Sequence, residues 1–137
     1  MNENKQNGKN LRLTPSYIET LQPNEVFVFG SNERGSHGAG AALTAYQKFG
    51  AVMGKGEGLF GQSYALPTME GVENVKKAVA RFTEFAKNHP DLKFLVTRVG
   101  CGIAGYTDKE IAPMFREASD LPNVSLPELF WSVLKPC

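Results

Sequence analysis

Two glycine-bracketed stretches hold the residues of this chain best suited to chemistry. The first, "GSNERGSHGAG", carries Gly30, Ser31, Asn32, Glu33, His37, Gly38, Ala39 and Gly40; the second, "GCGIAGY", carries Gly100, Cys101, Gly102, Ile103, Ala104, Gly105 and Tyr106. Glycine tolerates positive φ and bares the backbone, so amides in such loops can come within hydrogen-bond distance of phosphate oxygens. Neither stretch is a G-x-x-x-x-G-K-[ST] loop, and "GSHGAG" is not the G-x-G-x-x-G fingerprint in its proper frame, so ATP hydrolysis and dinucleotide redox chemistry lose ground. What remains is a site for a phosphorylated ligand, in which the bound diphosphate itself, Asn32, Glu33 or His37 could polarise a water for hydrolysis. Cys101 and His37 are an alternative nucleophile and base if the two loops meet. Blander roles compete with each of these: turns that serve packing alone, a solvated His37, a small buried Cys101, and Tyr106 as a hydrophobic staple or core edge. In "GKGEG", Lys55 and Glu57 read as surface charges on a mobile lid, with a direct phosphate contact by Lys55 as the alternative.

Each loop follows a buried-type strand and leads into a helix. Residues 26–29 and 93–99 are apolar and β-prone, as strands covered on both faces are. After the first loop, residues 38–49 read as a slim helix with Ala42, Ala45 and Phe49 on one side. After the second, Thr107 and Glu110 form a capping box for a helix over about residues 108–118. Residues 72–89 are the clearest helix, with Val75, Val79, Phe82 and Ala86 at helical spacing and Pro90 as the stop. "TPSYIETL" reads as a short helix with Thr14 as N-cap and Pro15 in its first turn, "SYALPT" as a strand, and "NVSLPELFWSVL" as a last strand and an amphipathic segment. This order predicts an α/β protein, a three-layer α/β/α sandwich with a mainly parallel mixed sheet. In such sheets ligands sit outside the carboxyl ends of the strands, where the two loops converge. Residues 1–12 read as a flexible polar tail and residues 13–137 as a single domain.

Composition narrows the function classes. With 137 residues, 42% hydrophobic and 21% charged, the chain has the profile of one globular domain. Its 15 basic and 14 acidic side chains give no global signal for nucleic acid, and no apolar run approaches the roughly 18 residues of a membrane span. Cys101 and Cys137 are too few for a disulfide framework, and no His/Cys cluster has zinc-ligand spacing, so neither a metal nor a cofactor is expected. The polar start "MNENKQNGKNLRLT" lacks the core of a secretion signal, and the expectation is a cytoplasmic protein.

Three stretches together carry a resemblance to a known family. "VGCGIAGYTDKEIAPMF" is similar to the second phosphate loop of the macro domain superfamily, "FVFGSNERGSHGAGAALTAYQKFG" to its strand, glycine turn and helix, and "GQSYALPT" to its middle segment. The likeness covers residues 26–118 in the right order. It implies a macro-domain-like fold that binds ADP-ribose or a related nucleotide, and in several branches hydrolyses an ADP-ribosyl linkage. It further implies Gly38, Ala39 and Gly40 along one side of the diphosphate, Gly102, Ile103, Ala104 and Gly105 along the other, Tyr106 against the distal ribose and Asn32 near its hydroxyls. The chain departs from the family at Ala104, where the glycohydrolase branch has an acid, and offers Glu33 and His37 in the first loop instead. The family's adenine-selecting Asp is not evident either. Binding survives these changes more easily than hydrolysis, and a compact structural or interaction domain is the remaining alternative.

Overall fold

A computed structural model describes residues 11–135. Five strands form one mixed sheet in the order β2-β3-β1-β4-β5: β1 Glu25–Ser31, β2 Gly58–Phe60, β3 Ser63–Pro67, β4 Lys93–Val96 and β5 Val124–Ser125. β1 runs parallel to β3 and β4, β4 parallel to β5, and only β2 is antiparallel to its neighbour. The helices are α1 Gly40–Lys48, α2 Val72–Lys87, α3 Asp108–Ile111 and α4 Glu128–Leu134.

β1 is central because its sequence is apolar on both faces. Val26 and Val28 join one core cluster with Val75, Val79 and Phe82 of α2, while Phe27 and Phe29 join another with Ala42 and Ala45 of α1. The topology requires this division. β1 to β3 steps one way across the sheet through α1, and β3 to β4 steps back the other way through α2. Right-handed crossovers in opposite directions place their helices on opposite faces. On the α2 side Phe82 is the hub, its ring centroid 5.2 Å from Tyr64, 5.4 Å from Phe94 and 6.2 Å from Phe115. On the α1 side the alanines let the helix sit close to the sheet, and Phe49 closes onto Phe27 at 5.0 Å.

Several expected elements are altered, each for a local reason. "TPSYIETL" is not a helix: Leu13 bridges Leu126, and Thr14 N–H donates to the Leu126 carbonyl at 2.9 Å, so the segment starts as an added strand edge. Ile18 and Leu21 then pack on the α1-side core in non-helical conformation. A helix this short gains few internal hydrogen bonds, and tertiary pairing overrides its capping signal. Arg12, read as tail, is bonded through its guanidinium to the carbonyls of Val124 (2.8 Å) and Ser119 (2.6 Å), while residues 1–10 lie outside the described residues. α1 starts at Gly40, two residues later than expected, leaving Gly38 and Ala39 in the loop. β4 ends at Val96: Thr97 still donates both its N–H (3.1 Å) and its hydroxyl (2.7 Å) to the Val28 carbonyl, and the chain then turns, with Val99 N–H on the Thr97 carbonyl at 2.7 Å. The expected helix over residues 108–118 breaks after Ile111 into 3₁₀ turns, since Pro113 has no N–H to continue the α pattern. Among the described residues no helix is long and apolar enough to cross a membrane.

Candidate functional site

The two glycine loops converge. β1 leads off towards one edge of the sheet and β4 towards the other, and the gap between their carboxyl ends is where open α/β sheets hold ligands. A cleft of about 410 Å³ lies there, lined by Gly30, Ser31, Asn32, Gly38, Ala39 and Gly40 from the first loop and by Gly100, Gly102, Ile103 and Ala104 from the second. Gly30 explains how the strands close up. A Cβ on it would sit 3.3 Å from the Gly100 amide nitrogen and 3.2 Å from Thr68 Oγ1, so glycine lets the ends of β1 and β4 approach.

The charge pattern of the cleft is one-sided. Its first-loop wall is the N-terminus of the nine-residue α1, whose N-cap is Ala39 with no side-chain cap and whose first turn holds no acidic residue. The amides of the first turn therefore keep their unpaired, partly positive character towards the cleft. Opposite them, among the described residues, no hydrogen bond engages the amides of Gly102, Ile103 and Ala104. Among the described residues, Arg98 is the only charged one of the lining. Its guanidinium is held in a fork by Asp108, Nε to Oδ1 at 3.0 Å and Nη2 to Oδ2 at 2.9 Å, which raises its pKa further above the ordinary range.

α3 contributes nothing comparable. Its four residues are closed by the expected capping box, with Glu110 N–H on Thr107 Oγ1 at 3.2 Å and Thr107 N–H on Glu110 Oε1 at 2.8 Å. The second wall thus offers loop amides rather than a helix terminus.

Several residues expected in the site are occupied elsewhere. Asn32 lines the cleft, but its Oδ1 accepts from Ser36 N–H at 3.0 Å and its Nδ2 donates to the Ser36 carbonyl at 3.2 Å, so its amide closes the turn. Glu33 is exposed outside the lining, with its backbone N–H on Glu70 Oε2 at 3.0 Å. His37 is fully buried away from the cleft, its Nε2 3.1 Å from the Lys55 carbonyl and its ring edge-on to Phe29 at 5.3 Å. Cys101 lies behind the lining with Sγ 3.6 Å from Asp108 Oδ1, and burial, then Asp108, pushes the thiol up to about 11. A thiol held protonated and an imidazole tied to another loop do not make the Cys101–His37 pair. Gly105 and Tyr106 also fall outside the lining; Gly105 turns the chain at φ 83°, and Tyr106 packs at the edge of the α2-side core. Nor is the "GKGEG" segment a free lid. Gly54 N–H donates to the Gly35 carbonyl at 2.9 Å, and Glu57 is forked by Arg81 at 2.6 and 2.9 Å.

Residue patterns alone missed Ser36, Thr68, Met69, Thr97, Arg98 and the first turn of α1. Arg98 had a usable signal: a cation inside an apolar run is costly to bury, so it marks the strand's end and an exposed site. A second, more apolar groove of about 890 Å³ adjoins the cleft and shares Ala41, Thr97 and Arg98 with it. Leu13, Pro15, Tyr17, Ile18 and Leu129 line it, as does Thr14, which is 7% exposed and whose Oγ1 has no hydrogen-bond partner among the described residues. No family model, curated protein or solved structure matches the chain.

Proposed function

We propose that the cleft binds the diphosphate of ADP-ribose or a related nucleotide, in a macro-domain-like three-layer fold. The observation that carries this reading is the uncapped, carboxylate-free start of α1 facing the residues 102–104 loop across a cleft whose one charge is Arg98. Backbone donors on two sides and a guanidinium suit an anion with several oxygens. A nucleotide is favoured over simple phosphate because the adjoining apolar groove begins at residues the cleft itself uses, so a ligand can lay an anionic middle in one and an aromatic end in the other. Binding is favoured over hydrolysis. Among the described residues no carboxylate, imidazole or thiol lines the cleft; Asp108 is engaged by Arg98, and Glu70, outside the lining, holds the Glu33 amide with its Oε2.

Calorimetric titration with ADP-ribose, ADP, NAD and inorganic pyrophosphate tests the reading. ADP-ribose should bind well below millimolar and more tightly than pyrophosphate. If none of the four binds more tightly than about 1 mM, roughly −4 kcal/mol, the diphosphate site is refuted.

A further inference from the structure

We propose that His37 is a positioning residue: by clasping residues 52–57 it holds the amides of residues 38–40 in the geometry that an anion needs. The proposal rests on the binding reading above but is carried by a different set of contacts. A Cβ added at Gly38 or Gly40 would meet no heavy atom within 4 Å, and Gly40 has φ 60°. Nothing local stiffens that stretch, since Ala39 supplies no cap. Its rigidity must come from its two ends, α1 on one side and His37 on the other.

His37 is built for that task. It is 0% exposed although Ser36 and Gly38 beside it are exposed. Because a carbonyl only accepts, the 3.1 Å contact with Lys55 means that Nε2 carries the hydrogen, and the buried Nδ1 has no partner among the described residues. Leaving a buried polar atom unpaired is unfavourable, and an apolar side chain of similar size would avoid it. What the imidazole adds over such a residue is the donor to Lys55, which fixes where the loop sits.

The clasp itself is anchored. His37 N–H points to Met53 Sδ at 3.2 Å, and Gly54 N–H to the Gly35 carbonyl. Any Cβ on Gly35 would overlap the Lys55 amide nitrogen, and any Cβ on Gly56 would overlap the Asn32 carbonyl, so the loops interlock backbone to backbone. Glu57 carries the connection on to Arg81 of α2. A loop fixed before the ligand arrives loses less freedom on binding, which raises affinity without any added contact.

The experiment compares His37→Leu, which keeps volume and loses the donor, with His37→Gln, whose amide nitrogen can reach the Lys55 carbonyl. Titrations use ADP-ribose and pyrophosphate, and the backbone order parameters of residues 38–41 are followed by NMR relaxation without ligand. His37→Leu should weaken both probes by about tenfold and lower the order parameters of residues 38–40, while His37→Gln stays within about threefold of the parent in affinity and keeps the parent's order parameters. If the parent binds neither probe, the binding reading fails, and the relaxation data still decide the positioning role. Should His37→Leu not fold, Glu57→Gln and Arg81→Met replace it and should lower the same order parameters. Unchanged order parameters in the folded variants overturn the proposal. Equal loosening by Gln and Leu does so too, because ring packing and not the donor would then matter.

Discussion

Gly102→Glu is the most direct test of the diphosphate site. Gly102 lines the cleft, has no atom within 4 Å of a would-be Cβ, and is not among the glycines at positive φ. A side chain there meets neither steric overlap nor backbone strain, so the folding cost should stay within about 0.5 kcal/mol, as for other open surface positions. The ligand feels much more. A carboxylate about 5 Å from a phosphate charge at an effective dielectric of about 20 to 35 is repelled by roughly 2 to 3 kcal/mol, a loss of about 30- to 150-fold in affinity. Steric exclusion adds to this. The measurement is calorimetric titration with ADP-ribose at low and moderate salt beside a thermal melt, and part of the loss should shrink as salt screens the charge. Gln47→Glu, on an exposed turn late in α1, adds the same charge and serves as the control. Undiminished binding by a folded Gly102→Glu protein would mean that this loop does not border the ligand, and the second wall of the proposed site would be abandoned.

Three further outcomes follow from the same geometry. Gly35→Ala should destabilise by at least about 2 kcal/mol in a chemical-denaturation midpoint, since its φ of 71° and its overlap with Lys55 both oppose a side chain. A near-neutral effect would show that the two loops are not interlocked. Tyr106→Ala should cost about 1 to 3 kcal/mol of stability and leave ADP-ribose affinity within about twofold, because the ring packs at the core edge outside the cleft. A tenfold loss of affinity with stability kept would instead favour a ribose contact. Cys101 alkylation, followed in a Cys137→Ser background, should stay slow near neutrality and accelerate only as pH approaches about 11, not near the thiol's ordinary 9.0. The sign for stability follows. A raised acid pKa in the folded state favours the neutral thiol, so its contribution is full below pH 9.0 and is lost as pH rises towards about 11.

Much of the fold is legible in residue order. The apolar run of residues 26–29 predicts a central strand because only a strand covered on both faces needs Val26 and Val28 on one side and Phe27 and Phe29 on the other. The spacing of Val75, Val79, Phe82 and Ala86 predicts α2, and the Thr107–Glu110 pair predicts the cap of α3, because both signals act within a few turns of backbone. The glycine pattern likewise marks the two loops that meet in the cleft.

Patterns alone could not assign the reason for each glycine. Gly30 is small for strand approach, Gly35 and Gly56 for the interlock with a loop some twenty positions away, and only Gly38, Gly40 and Gly102 stand open to a ligand. Nor could they reveal that His37 faces inward, that the Asn32 amide is spent on Ser36, or that Arg98 is the charge left in the cleft. Local propensity arises from a residue and its near neighbours, and the sequence carries it directly. Which face a loop residue turns to solvent depends on what segment folds against it, and that is decided only when β1, β3 and β4 come together in tertiary structure.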